Sequence, residues 1–173
     1  MGVNVTTNSA QTYVPIATTT LGSNAASYTF NSIPQTYTDL VLVSNLGTAT
    51  SGAFTIRVGN GSVDTGSNYS RTNMYGDGSA SHSFNETNQT YTNTGNSTTS
   101  IILQDISYFM NYSNTTTYKS YLNVNGNSSA GTTQANAYLW RSTAAINTIQ
   151  VFCANGYNLL AGSTFTLYGI LAA

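Results

Sequence analysis

The chain has 173 residues, of which 40% are hydrophobic and only 5% are charged, and its formal net charge is −1. The length suits one domain, and the cations Arg57, Arg71, Lys119 and Arg141 are scattered, which excludes a basic patch that could neutralise nucleic-acid phosphates. Ser, Thr, Asn and Gly replace the charged residues and disfavour helix, whereas Thr and the 13 Tyr favour strands.

The first twelve residues are polar and contain Met1, Val3 and Val5 as their only large apolar side chains. They lack the basic and apolar regions of a signal peptide, and no apolar run in the chain approaches the length of a membrane span. We expect residues 1–12 to form an arm that becomes ordered against a partner, with Met1, Val3 and Val5 as candidate assembly contacts. Residues 13–173 are expected to form a single domain.

Apolar runs and alternations predict short strands along the rest of the chain. The first, 13–21, carries Pro15, which suits a sheet edge. The run Leu40–Val43 predicts a central strand buried on both faces, with a layer of protein on each side. Further strands are predicted at 26–30, 54–58, 100–106, 116–124, 135–140, 149–153 and 164–171.

The segment 62–99 is rich in Gly, Asn, Ser and Thr, and we expect it to be the least regular part of the chain. Within it, 69–75 is predicted as a strand and 83–92 as a weak hairpin arm. In the next strand Leu103 and Ile106 are expected to face inward, and 116–124 alternates through Tyr118, Ser120, Leu122 and Val124.

Roughly nine or ten short strands at turn-marked spacing predict an all-β fold, a jelly-roll-like two-sheet antiparallel β-sandwich. No segment has a convincing helical period, and no strand–helix alternation indicates a parallel sheet. No fixed-period repeat indicates a solenoid or a propeller.

Few residues are suited to catalysis. His82 is the only histidine, so a zinc site or a serine triad would lack its usual ligands, and Asp77 is the one carboxylate nearby in sequence. Cys153 lies in an apolar strand and is expected to be a buried structural thiol, without a disulfide partner.

The string Asp64-Thr65-Gly66-Ser67 matches the active-site string of aspartic proteases, but those enzymes need two carboxylates that share a proton. Here a single string lies in a Gly- and Asn-rich segment, so we interpret it as a turn. The other carboxylates, Asp39, Asp77, Glu86 and Asp105, are far apart in sequence, and a paired-carboxylate glycosidase stays open but is not suggested. No metal or cofactor is expected.

Several strings together resemble a small β-sandwich virion protein family of tailed bacteriophages, known from marine and cyanobacterial phages. They are IATTTL from Ile16, IPQTYTDLVLV from Ile33, DTGSNYS from Asp64, YSNTTTYKS from Tyr112, WRSTAAINTIQVF from Trp140, and AGSTFTLYGILAA at the C-terminus. The family's members are decoration-type or fibre-type domains. The resemblance implies a virion location, synthesis in the host cytoplasm and no enzymatic activity.

The function expected on this basis is a capsid decoration or cement protein, because the chain is one small domain with a short arm. The alternative is a tail fibre or spike module that recognises host surface glycans, with Tyr69, Tyr75, Tyr91, Tyr108 and Tyr112 as candidate surface and glycan contacts. A secreted hydrolase is a more distant possibility. The expected partners are further copies of the chain, as a homotrimer, and other virion proteins, without nucleic acid or membrane.

Overall fold

The computed structural model describes residues 12–48, 52–97, 103–127 and 131–171. Within these ranges the chain forms thirteen strands and no helix. In chain order the strands are β1 (Tyr13–Thr20), β2 (Ser27–Phe30), β3 (Asp39–Leu46), β4 (Gly52–Asn60), β5 (Ser62–Val63), β6 (Tyr69–Gly76), β7 (Ser81–Gln89), β8 (Thr92–Ser97), β9 (Leu103–Met110), β10 (Lys119–Asn127), β11 (Thr132–Trp140), β12 (Thr148–Cys153) and β13 (Thr164–Ile170).

The strands form two antiparallel sheets. The large sheet has eight strands in the order β1-β13-β3-β9-β10-β11-β6-β7, and the small sheet has the order β2-β12-β4-β5, with β8 also paired to β4. The two sheets pack against each other, which confirms the predicted all-β, jelly-roll-like sandwich. Pro15 lies in β1 at an edge of the large sheet, as its missing amide hydrogen requires.

β3 lies third in the large sheet, between β13 and β9, and its apolar run is buried as predicted from Leu40 to Leu42. Leu40 and Leu42 face the small sheet, whereas Val41 faces the opposite side between its cross-strand neighbours Tyr108 and Tyr168. The prediction of a protein layer over that second side is wrong for the described residues, because none of the described strands packs there.

The main core lies between the sheets. The small sheet contributes the inward side chains of β4 and β12, among them Phe54, Ile56 and Ile149, all at most 2% exposed. The large sheet contributes Leu42 and Leu167 from its β13–β3 half. Burying such side chains is the main favourable term in the stability of a sandwich.

The segment 62–99 is more regular than its composition indicated. It forms β5 to β8, and β6 confirms the strand predicted at 69–75. Contacts distant in sequence hold these strands: Arg71 of β6 forms an ion pair with Glu86 of β7 at 2.8 Å. β8 lies against the large sheet, where the Thr92 hydroxyl is 2.6 Å from the Tyr121 hydroxyl.

Candidate assembly surface

β10 shows how side chains divide between the two faces of the large sheet. Asn123 and Asn125 face the small sheet and are buried, whereas Leu122 and Val124 face away and are 45% and 54% exposed. A sheet with one covered face normally places apolar residues inside and polar residues outside. β10 has the reverse arrangement.

The strand register extends this reversal across the sheet. On the side that faces away from the small sheet, cross-strand pairing aligns two rows of apolar side chains, which we call the outer apolar surface: Tyr168, Val41, Tyr108, Leu122 and Ala137 in one row, and Val43, Ile106, Val124, Ala135 and Met74 in the other. The expected inward position of Ile106 is wrong. Its neighbours Asp105 and Ser107 face the core, so Ile106 must face out.

Four of the five Asp, Glu, Lys and Arg side chains in the described strands of the large sheet lie on the other side. Arg71, Asp105 and Lys119 are buried on the inner face, and Glu86 pairs there with Arg71. Among the described strands of this sheet, Asp39 is the one charged residue on the outer side, at the beginning of β3, where its carboxylate accepts a 2.6 Å hydrogen bond from the Asn111 backbone N–H. The outer apolar surface itself carries no charge.

The buried polar side chains on the inner face form a continuous network. Asp105 is 2% exposed, and its carboxylate accepts hydrogen bonds from the Asn123 amide at 2.5 Å and the Ser107 hydroxyl at 3.3 Å. The Asn123 oxygen accepts from Asn136 at 3.1 Å, and the Asn136 oxygen accepts from Asn73 at 2.6 Å. The network thus links β9, β10, β11 and β6 through side-chain hydrogen bonds, which help to hold the strands in register, and the Asn73 oxygen is a buried atom of the network without a hydrogen-bond partner.

Burial has a clear effect on the Asp105 carboxyl. Removal from water disfavours its charged form and raises its pKa to about 6, although hydrogen bonds from Asn123, Ser107 and Thr94 act in the opposite direction. The carboxyl faces the interior and has no open path to a ligand. Its role is therefore structural, and it makes stability depend on pH.

An aromatic row lies beside this network. The rings of Phe109, Tyr121 and Tyr138 follow one another with 4.8 Å between centroids. The Tyr138 hydroxyl donates to the Asn93 carbonyl at 2.7 Å, and burial raises the pKa of Tyr121 and Tyr138 well above the usual value. These contacts hold β8 against the inner face of the large sheet. They stabilise the sheet that carries the outer apolar surface.

The outer apolar surface ends in an open hollow of about 550 Å³ near the β6–β7 hairpin. Met74, Val124 and Ala135 of the outer side are among its lining residues, and Tyr75 and His82 of the β6–β7 hairpin also border it. The Tyr75 and His82 rings stack at 4.5 Å. Outward side chains of β6, β10 and β11 therefore give the hollow an apolar wall, and the stacked rings belong to adjacent positions of the hairpin.

His82 lies on β7, where its Nε2 atom is 3.1 Å from an oxygen of Asp77, the carboxylate nearby in sequence. Hydrogen bonds from the Ala80 and Ser79 backbone N–H groups, and then from His82, lower the pKa of Asp77 to about 2. Within the described ranges no hydroxyl or thiol hydrogen-bonds to His82. The pair orients an imidazole but lacks the nucleophile of a triad.

The five candidate tyrosines do not form one site. Tyr69 and Tyr112 are buried, so their predicted role as surface contacts is wrong. The Tyr69 hydroxyl donates to the Val58 carbonyl at 3.0 Å, and the Tyr112 hydroxyl donates to the Pro34 carbonyl. Both hydroxyls thus tie loops and strands together inside the fold.

The other three candidate tyrosines are at least partly exposed and lie in different places. Tyr75 is at the hollow, and Tyr108 is on the outer apolar surface with 38% exposure. Tyr91 precedes β8 and packs edge-on against Phe152 of the small sheet at 5.8 Å. The predicted arm contacts Met1, Val3 and Val5 lie outside the described residues.

The Asp64 string forms a turn, as predicted. One carboxylate oxygen accepts the Gly66 N–H at 2.7 Å, and the other accepts the Trp140 indole N–H and the Asn68 amide, both at 2.8 Å. Partial burial raises the pKa of Asp64, but the hydrogen bonds from Trp140, Asn68 and Gly66 outweigh it and leave the pKa lowered. Cys153 is a buried free thiol, also as predicted.

In the part of the chain that the structure describes, no group of three or more His, Cys, Asp or Glu side chains is placed to hold a metal ion. The same residues include no helix long and apolar enough to cross a membrane.

The fold and surface define a charge-poor β-sandwich whose large sheet has buried polar groups inside and apolar groups outside. No protein family model matches the chain, and no curated protein matches it. One similar solved structure is an alginate lyase in complex with an alginate tetrasaccharide, with 12% identity, a TM-score of 0.31, and coverage of 90% of this chain and 82% of the lyase. Similarity at this level carries no argument about function.

Proposed function

We propose that this protein is a non-enzymatic structural protein of a bacteriophage virion, and specifically a capsid decoration or cement protein on the head surface. It is made in the host cytoplasm. Its partners are other virion proteins and further copies of the chain, in a homotrimer. The resemblance of its sequence to small β-sandwich phage proteins is the reason for proposing a virion location.

The observation that carries the proposal is the outer apolar surface. Monomeric soluble proteins rarely expose a contiguous apolar patch, and a large one marks a contact with another molecule. Here Met74 is 60% exposed and Val124 is 54% exposed, while Asp105 and Lys119 are buried. A protein built in this way works by packing against neighbours, which is the task of a decoration protein.

Quantitative peptide mass spectrometry of purified phage particles tests the proposal. A decoration protein is present in a fixed ratio to the major capsid subunit, at a copy number that follows the capsid symmetry. A few copies per particle would favour the fibre or spike alternative. Absence of the chain from purified particles would refute a virion role of either kind.

The glycan-binding alternative is favoured by one feature, the hollow at the β6–β7 end. Tyr75, His82 and Gln134 border it and carry an aromatic ring, an imidazole and an amide, groups of the kinds that stack on and hydrogen-bond to sugars. If this alternative holds, Tyr75→Ala should abolish binding to host surface polysaccharide. The matched change Tyr157→Ala, on an exposed tyrosine elsewhere, should leave it intact.

A further inference from the structure

The outer apolar surface is exposed in the single chain, and we expect another molecule to cover it. Ile106, Leu122, Val124 and Met74 project from neighbouring strands on one side of the sheet, each at least 36% exposed. Scattered exposed apolar side chains are ordinary in proteins, but a contiguous patch with polar residues around it marks an interface. One outward position beyond the row of Val43 and Ile106, the next cross-strand row is polar and includes Asn45, Gln104 and Thr133.

We propose that the occupant is a second copy of this chain, packed through the same side of its large sheet. The inference rests on the proposed function, because it names the surface through which that structural protein assembles. In the trimer expected from the sequence, three such sheet faces would surround the symmetry axis and each would contact its neighbours.

Charge supports a copy of the chain over a partner of opposite charge. The outer apolar surface has no charged side chain, and Asp39 lies at its margin with its carboxylate engaged by the Asn111 backbone. Such a surface has nothing with which to attract a strongly charged partner. Two copies can also approach without like-charge repulsion.

The area of the sheet is sufficient for a stable contact. Eight strands at a spacing of about 4.8 Å cover about 34 Å, and eight-residue strands extend about 26 Å, so the face measures roughly 900 Å². Stable protein interfaces bury about 800 Å² on each partner. One whole face of this sheet is therefore of the size that a lasting contact requires, and in a trimer that area is divided between two neighbours.

The relief of the surface also suits self-association. The hollow of about 550 Å³ lies at the β6–β7 end, and Tyr108, 38% exposed, projects nearer the middle of the sheet. Each copy thus offers both a recess and an aromatic side chain. Aromatic side chains that fill recesses are the usual anchors of interfaces.

The test is the mass of the full chain in solution, measured by sedimentation and light scattering over a range of concentrations. The wild-type protein should have a mass of at least twice 18.3 kDa. Leu122→Lys places a cation in the middle of the outer apolar surface and should weaken association at least about tenfold, with the melting temperature of the monomer as a check on folding. Tyr157→Lys is the matched control, because Tyr157 is 43% exposed and Leu122 is 45% exposed.

Three outcomes would overturn the inference: a monomeric wild type at every concentration, oligomers that survive both Leu122→Lys and Val124→Lys, or equal weakening by Tyr157→Lys. A protein that begins at Tyr13 distinguishes another occupant. If the wild type is monomeric and removal of residues 1–12 makes it associate, the chain's own arm covers the surface. A monomer that is nevertheless present in particles at capsid-matching copy number would refute this inference and leave the proposed function standing.

Discussion

Replacement of Asp105 by Asn should remove most of the pH dependence of stability between pH 4 and 6. The pKa of this carboxyl is about 6 in the folded chain, against an ordinary value of 3.8. The folded protein therefore holds more protons than the unfolded chain in this window, and its stability falls as the pH rises through it. Two pKa units correspond to about 3 kcal/mol, an upper value for the loss between pH 4 and pH 7.

The structure indicates why Asn can replace Asp here. The amide oxygen of Asn keeps the hydrogen bond from Asn123, and the hydroxyls of Ser107 and Thr94 can rotate to accept from the new NH₂ group. We therefore expect Asp105→Asn to be more stable than the wild type at pH 7, by up to about 3 kcal/mol.

The assay is denaturant unfolding at a series of pH values from 4 to 8, at one protein concentration, because association would otherwise shift the midpoint. Asp77→Asn is the control. The pKa of Asp77 is lowered to about 2, so its contribution is lost only as the pH falls below about 4 and the slope above that pH should persist. A wild type whose stability is flat or rising between pH 4 and 6 would refute the reasoning.

Three further predictions concern the core, a close contact and the arm. Leu42→Ala should cost about 2–5 kcal/mol in denaturant unfolding, since Leu42 is fully buried between the sheets, and an unchanged midpoint would remove β3 from the core. Gly169→Ala should cost about 1–3 kcal/mol, because a Cβ there would lie 2.3 Å from the Tyr37 ring, whereas Gly126→Ala meets nothing within 4 Å; equal melting temperatures would contradict that packing. A protein that begins at Tyr13 should keep its melting temperature but attach poorly to undecorated particles, and full attachment would mean that the arm is not an anchor.

The strands could be predicted where the apolar pattern has one reading. Leu40 to Val43 are all apolar, and a short run of this kind between Pro34 and Gly47 favours a strand shielded on both sides. The structure buries Leu40 to Leu42 accordingly. The pattern could not reveal that the second side is shielded only by neighbouring side chains, because burial by Tyr108 and Tyr168 depends on strand order.

The faces of β10 could not be predicted in the same way. Leu122 and Val124 alternate with Asn123 and Asn125, which gives two faces but does not say which one is interior. The usual rule places the apolar set inside, and it fails here because amides from three strands and the Asp105 carboxyl of a fourth form hydrogen bonds with one another within the sandwich. The candidate assembly surface was missed for that reason.

Tyrosine positions were equally ambiguous. A tyrosine has an apolar ring and a polar hydroxyl, so composition cannot separate a buried one from an exposed one. Tyr69 is buried because its hydroxyl finds Val58 and Asp64 backbone oxygens, partners that only the folded chain brings within reach. The paired strands of 62–99 were hidden similarly, since the Arg71–Glu86 ion pair links strands that the Gly- and Asn-rich composition concealed.

The outer apolar surface should be covered in the assembled particle, and the oxidation rate of Met74 tests this most directly. Met74 is 60% exposed on the isolated chain, so peroxide should oxidise it rapidly in the monomeric Leu122→Lys protein. Peptide mass spectrometry of purified phage particles treated in the same way should find Met74 strongly protected. Equal oxidation rates in particles and in the monomer would contradict the claim, because the surface would then be bare in the assembled state.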